Sequence, residues 1–237
     1  MTFATQTPAP VPAAGPVSRR IRRRDQRRRR RLATIAVLVV VIAAVAAVAN
    51  RYESAQQLAS PHHSLGPAGS EVEGSPSAAV LVDMYGDYQC PYCHQFHAQV
   101  GGTIASLVQA GTIRFAFHPY AFIGPESVAA ASAAECAGDE GRYFPMFEEL
   151  YTHEFPENSG GFTTAELVSL ARAAGVTHDR TLHCIQAGTY DGWVRKVTDE
   201  GSTRGISGTP TIFVNGVQDT DTSLSGFLRA VHTATTA

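Results

Sequence analysis

The pattern of hydrophobic positions predicts strands in the middle and near the end of the chain. Residues 78–85 (AAVLVDMY) form a short apolar run that is typical of a buried strand. Residues 112–117 (TIRFAF) alternate between apolar and polar side chains, which indicates a second strand. Residues 211–214 are β-branched or aromatic and are followed by Asn-Gly, so a hairpin with a short return strand is expected there.

A period close to 3.6 residues predicts helices between these strands. After Cys90, apolar side chains recur at helical spacing through residues 96–108. Several helical segments follow over about 124–204, and a last helix is expected near residues 224–233. The order is strand, helix, strand, several helices, hairpin and helix, which predicts one α/β domain over residues 77–237.

The N-terminal part of the chain predicts a membrane segment. Residues 32–49 carry no charge and would extend about 27 Å as a helix, close to a bilayer core. Ten arginines lie in residues 19–31, with Asp25 as the only acid, which places the N-terminus in the cytoplasm and the domain outside. A signal peptide removed near Ala49 is the alternative, because small residues precede that position.

Composition separates the remaining segments. Residues 1–31 form a basic tail, and residues 50–76 form a flexible linker in which His62 and His63 are expected to be solvated. From Tyr52 onward the chain has 8 basic and 20 acidic residues, which gives 8 − 20 = −12. Such an acidic domain is not a nucleic-acid binder.

The candidate chemistry lies in Cys90-Pro91-Tyr92-Cys93, which follows the first strand and opens a helix. Pro91 has no backbone N–H and therefore fits the first helical position. Cys90 is then the N-cap, where unpaired N–H groups and the positive end of the helix dipole favour its thiolate. Cys93 lies one turn further and can close a small disulfide with Cys90.

Two other kinds of site use similar residues. Cys90 to His94 also match the C-x-x-C-H pattern of haem attachment, which would leave the late Thr-Pro strand unexplained. Zinc could use Cys90, Cys93 and His94 or His97, but no second C-x-x-C or H-x-x-x-H completes a closed site. We expect neither a metal nor a cofactor. His94 is expected on the helix surface, where as a cation it would favour the Cys90 thiolate.

Two motifs together resemble one known family. They are the DYQCPYC segment at residues 87–93 and Gly-Thr-Pro-Thr at residues 208–211. From about residue 78 onward the chain resembles the DsbA-like group of exported thiol–disulfide oxidoreductases, particularly the membrane-tethered forms of actinobacteria and other Gram-positive bacteria. The resemblance implies an α/β thioredoxin fold with a helical subdomain inserted at about 124–204, preceded by a single N-terminal transmembrane helix.

The resemblance also implies a role for each matched residue. Cys90 would be the nucleophile, and Cys93 would resolve the mixed disulfide. Pro210 would be a cis-proline lying against the active-site disulfide. The backbone of Thr209 would then pair with an extended substrate chain.

One position departs from the family pattern. Family members usually carry a carboxylate six residues before the first cysteine, where it is thought to manage the proton of the resolving thiol. Here that position is Met84. Asp83 is adjacent and is a candidate modulator, but neighbouring strand residues face opposite sides of a sheet. The proton route is therefore open.

The other two cysteines, Cys136 and Cys184, lie in the helical region. Four cysteines allow three pairings, and the C-x-x-C pair is the natural self-pair. A structural Cys136–Cys184 disulfide would close a loop of about 49 residues and contribute roughly 4 kcal/mol at most. Two buried free thiols are the alternative.

The expected function is oxidation of reduced exported proteins by the Cys90–Cys93 disulfide. By family resemblance, a quinone-linked membrane protein would reoxidise the enzyme. Reduction or isomerisation is an alternative, because Pro91-Tyr92 resembles glutaredoxins and Thr209 before proline resembles disulfide isomerases. A non-catalytic binding module is the third possibility.

Overall fold

The chain divides into two units, Met1–Tyr52 and Glu53–Ala237. The structure, a computed structural model, describes residues 32–48, 59–63 and 65–236. Residues 32–48 form helix α1, and its side chains are exposed. Within the described residues no helix is both long enough and apolar enough to span a membrane. The transmembrane helix expected over residues 32–49 is therefore not confirmed.

Several N-terminal predictions fall outside the described residues. These are the basic tail at residues 1–31, the cleavage position at Ala49 and residues 50–58 of the linker.

The second unit is built on a five-stranded sheet with the order β1-β3-β2-β4-β5. The strands are β1 (Glu71–Glu73), β2 (Val80–Gly86), β3 (Ile113–Pro119), β4 (Thr211–Val214) and β5 (Val217–Asp219). β2 and β3 are parallel, and the other neighbouring pairs are antiparallel. β2 is the central strand and is paired on both sides. The segment that follows it therefore begins in the middle of the sheet, where the strand ends.

Seven helices of this unit are described. They are α2 (Pro91–Gln109), α3 (Pro125–Gly138), α4 (Tyr143–Thr152), α5 (Thr164–Ala173), α6 (Asp179–Ala187), α7 (Asp191–Thr203) and α8 (Leu224–Thr236). α2 joins the parallel strands β2 and β3, which need a crossover connection. α8 packs against α2, where the ring centroids of Phe96 and Phe227 lie 6.3 Å apart. Helices α3 to α7 are inserted between β3 and β4.

Helix α3 is the centre of the insertion. Its residues are mostly alanine or serine, and nearly all of them are buried. A helix that is buried all round must be covered by other elements on every side. Small side chains let the neighbouring helices approach it closely.

The predicted α/β thioredoxin fold with a helical insertion is confirmed. The linker expected over residues 50–76 is ordered in part, however, because Pro67–Gly69 form a 3-10 turn and β1 pairs with β3. Three residues are too few to show a periodicity, so β1 was not predicted. Its extended form depends on the β3 edge beside it.

Candidate active site

Cys90 and Cys93 lie at the first turn of α2, as the sequence predicts. Cys90 is the N-cap with extended backbone angles (φ −74°, ψ 117°), and Pro91 starts the helix. The N–H groups of Cys93 and His94 donate to the Cys90 carbonyl over 3.0 and 3.1 Å. Both cysteines are free thiols in this structure, and both are buried.

The two thiols are electrostatically different. The Cys93 thiol, which donates to the Cys90 sulfur, is the largest cause that lowers the pKa of Cys90 to about 6, and burial opposes this shift. The Thr209 side chain and the backbone N–H groups of Cys93 and Tyr92 lower the pKa further. Burial, followed by the neighbouring Cys90, raises the pKa of Cys93 well above its usual value. At neutral pH the pair is therefore one thiolate and one thiol.

The loop before β4 lies directly against Cys90. The Thr209–Pro210 peptide is cis, and the Cys90 Sγ is 3.3 Å from the Thr209 carbonyl oxygen. Tyr92 is 69% exposed beside this contact. A shallow groove runs past it, lined by Tyr92, Gln95, Gln99, Pro210, Thr220 and Ser223. Tyr92 and Pro210, which line this groove, are the sequence neighbours of Cys93 and Thr209.

Sequence reasoning missed Asp87, which organises the loop before Cys90. Its buried carboxylate accepts hydrogen bonds from the N–H groups of Gln89 (2.8 Å), Phe122 (3.0 Å) and Ile123 (3.1 Å). Gln89 in turn donates to the hydroxyl of Ser127 over 2.7 Å. Burial raises the pKa of Asp87. An aspartate that bonds to the backbone two residues later is a common turn signal, which the sequence contained.

His94 is buried, so its expected place on the helix surface is wrong. Its Nδ1 lies 3.0 Å from the Tyr151 carbonyl oxygen, and its Nε2 lies 2.8 Å from that of Tyr88. Carbonyl oxygens only accept, so the ring is held in place through its N–H donor.

Asp83 is not brought to the cysteines. Its Oδ1 lies 3.0 Å from Nε2 of His118. Met84 instead faces α2 and lines a small cavity together with Phe96. The strand position that carries a carboxylate in the family therefore supplies none near Cys93.

Cys136 and Cys184 form a disulfide that joins α3 to α6. Their Cα atoms are 5.8 Å apart, within the usual range for a disulfide. This bond holds the insertion together and does not involve the thiols of α2.

Comparisons with known proteins agree with this fold. Residues 68–232 match the family model described as thioredoxin. The Na(+)/H(+) antiporter NhaA 1 of Salinispora arenicola is 31% identical over 152 residues, which are 63% of this chain and 22% of that protein. Disulfide bond formation protein D of Bacillus subtilis is 28% identical over 170 residues, which are 70% of this chain and 76% of that protein.

A solved structure, the reduced form of the disulfide bond oxidoreductase DsbG from Mycobacterium tuberculosis, has a TM-score of 0.64 at 25% identity. The match covers 73% of this chain and 90% of that one. The chain therefore belongs to the thioredoxin family, and it is similar to DsbA-like thiol–disulfide oxidoreductases. It spans about a fifth of the length of the antiporter that it matches.

Proposed function

We propose that the protein introduces disulfides into other proteins through Cys90 and Cys93. The observation that carries this proposal is the donor set around the Cys90 sulfur. The Cys93 S–H and the N–H groups of Tyr92 and Cys93 favour its thiolate. A stabilised thiolate favours the reduced enzyme, so the disulfide is a correspondingly stronger oxidant.

The reaction proceeds by two thiol–disulfide exchanges. A substrate thiolate attacks the Cys90 sulfur, the Cys90–Cys93 bond breaks, and Cys93 leaves and takes up a proton. A second substrate thiolate then attacks the substrate sulfur of the mixed disulfide, and Cys90 leaves as a thiolate. The substrate loses two electrons, and the enzyme gains them. A leaving thiol with a low pKa accelerates the second step.

The substrate class that fits this site is an extended, reduced segment of an exported protein. Such a segment would lie in the groove beside Tyr92 and Pro210, and its backbone would pair with that of Thr209. A quinone-linked membrane protein would reoxidise the enzyme.

The proposed location is outside the cytoplasm. The Cys136–Cys184 disulfide suits an oxidising compartment, and the arginine-rich residues 19–31 precede the uncharged residues 32–49. The domain would be held by residues 32–49 or released by cleavage near Ala49. The N-terminal sequence of the mature protein recovered from cells and from medium distinguishes these two outcomes.

The test mixes the oxidised full chain with a reduced, unfolded peptide that carries two thiols, and counts thiols by mass tagging. The peptide is expected to lose two thiols as the enzyme gains two. Cys93→Ala, pre-linked to one peptide thiol through Cys90, should release the peptide as a disulfide. Cys90→Ser should be inactive, and exchange that survives in it would contradict the role of Cys90 as the nucleophile.

The direction of the reaction follows from the redox equilibrium in glutathione buffers. A potential of about −120 mV supports an oxidase. A potential of about −270 mV would contradict the proposal and indicate a reductase.

A further inference from the structure

A second cluster of charged groups lies around His63 and is not used by the redox chemistry. His63 precedes β1, and its Nε2 lies 2.7 Å from Glu71 Oε1 and 3.4 Å from Glu135 Oε2. This nitrogen and the two carboxylates offer ligand atoms that all lie within 4.8 Å of one another. The expectation that His63 is a solvated loop residue is therefore wrong, because its side chain is only 16% exposed.

The other nitrogen of His63 is held by a carboxylate. Its Nδ1 lies 3.0 Å from Asp139 Oδ1. Asp139 is itself fixed, because it accepts hydrogen bonds from the Tyr190 hydroxyl (2.5 Å) and the His62 N–H (2.7 Å). When Nδ1–H donates to Asp139, the lone pair of Nε2 points at the two glutamates. Histidines that bind metals commonly have such a carboxylate on the other nitrogen.

Among the described ion pairs, three carboxylates share one positively chargeable partner, because Glu71, Glu135 and Asp139 all face His63. Glu135 is completely buried, and neither of its carboxylate oxygens has a hydrogen-bond partner among the described residues. No lysine or arginine in the described part of the chain forms an ion pair with Glu71, Glu135 or Asp139. Buried carboxylates without a counter-charge are costly. A divalent cation beside a neutral imidazole would balance the two glutamates.

We propose that His63, Glu71 and Glu135 bind one Zn²⁺ ion, with Asp139 orienting the histidine. A ligand set of one imidazole and two carboxylates suits zinc, whereas Ca²⁺ and Mg²⁺ take oxygen ligands. Zinc bond lengths of about 2.0–2.1 Å place tetrahedral ligand atoms about 3.3 Å apart. The Nε2–Glu135 distance already has this value, and the Nε2–Glu71 distance would lengthen by about half an ångström. Water would complete the coordination.

The position of His63 depends on Gly138 of α3. A Cβ atom built on Gly138 would lie 2.5 Å from Cε1 of His63, so a larger residue cannot share this place. The imidazole therefore lies directly on α3, between Glu135 and Asp139. An ion here would tie the segment before β1 to the helix that also carries the Cys136–Cys184 disulfide.

The test measures Zn²⁺ binding to the oxidised full chain, in which the active-site sulfurs are joined and cannot act as thiolate ligands. Equilibrium dialysis with elemental analysis should find one equivalent. His63→Ala and Glu135→Gln should weaken binding at least about 100-fold, and Asp139→Asn about 10- to 100-fold. The control is His178→Ala, which removes an exposed histidine that pairs with Glu140, and it should bind as wild type.

Thermal unfolding separates loss of the site from loss of the fold. Glu135→Gln keeps the size of the buried side chain and removes its carboxylate, so the variant is expected to fold without metal. Zn²⁺ should raise the midpoint of wild type and leave that of Glu135→Gln unchanged. Gly138→Ala, which displaces the ring and removes no ligand, should weaken binding too. Absence of binding by wild type, or equal binding by His63→Ala, would overturn the proposal.

Discussion

The low pKa of Cys90 predicts how the reduced enzyme reacts with an alkylating agent as the pH changes. Only the thiolate reacts, so the rate of iodoacetamide modification should rise with a midpoint near pH 6, against 9.0 for an unperturbed cysteine. At pH 7 a pKa of about 6 leaves about ten thiolates for each thiol, whereas 9.0 leaves about one in a hundred. Mass spectrometry after timed quenching from pH 4 to 10 gives this curve.

The matched variants test the cause of the shift. Cys93→Ala removes the largest stabilising donor, so the Cys90 midpoint should rise by about one unit or more. Cys93→Ser keeps an O–H donor at the same place and should stay closer to wild type. A wild-type midpoint near about 8.5, or an equal midpoint in Cys93→Ala, would refute the reasoning.

The lowered pKa of Cys90 also makes the redox equilibrium depend on pH. The folded pKa of Cys90 lies below its unfolded value, so the stabilisation of the reduced, folded protein is full above the unfolded pKa. It is lost as the pH falls through about 6. At pH 7 the thiolate favours the reduced state about tenfold, or about 30 mV. Measured potentials should therefore become less oxidising, relative to an ordinary dithiol, as the pH falls toward 6.

Three further changes test other parts of the structure. Replacing Cys136 and Cys184 with serine should lower the free energy of unfolding by up to about 4 kcal/mol in urea, without moving the alkylation midpoint; a loss below about 1 kcal/mol would contradict the role of the bond. Met84→Glu should lower stability, because it buries a carboxyl group, and should speed release of the mixed disulfide in stopped-flow assays. Asp83→Asn, on the opposite face of the sheet, should leave that rate unchanged. Tyr92→Ala should raise the KM for a peptide substrate, while the free energy of unfolding stays within about 0.5 kcal/mol of wild type. An unchanged KM would show that Tyr92 does not contact the substrate.

Local features of the fold and the site could be predicted from the sequence. The start of α2 follows from two local features: Pro91 has no backbone N–H and fits the first helical position, and Cys90 is the N-cap. The hairpin after β4 follows from Asn215 and Gly216, which both have positive φ in the structure (48° and 79°). Thr163 caps α5 by accepting a hydrogen bond from the N–H of Glu166, three residues later. In each case the interacting atoms lie within four residues of one another, so the local sequence is enough to predict the feature.

The position of the Thr209–Pro210 loop beside Cys90 was predicted only from the family resemblance. Thr209 and Cys90 are separated by 119 residues, so their contact has no local signal in the sequence. Other features were decided only by tertiary packing. His94 was expected on a surface, but α4 and the segment after β2 present carbonyl oxygens to both of its nitrogens. Met84 faces α2, which packs on one side of the sheet, whereas Asp83 points to the other side and contacts His118.

The His63 cluster shows the same limit most clearly. Nothing in the sequence around His63, Glu71 or Glu135 indicates that they meet, since they come from a loop, an edge strand and a buried helix. Local sequence determines backbone conformation through short-range sterics and hydrogen bonds. The partner of a side chain depends on which faces pack together, and that is a property of the whole fold.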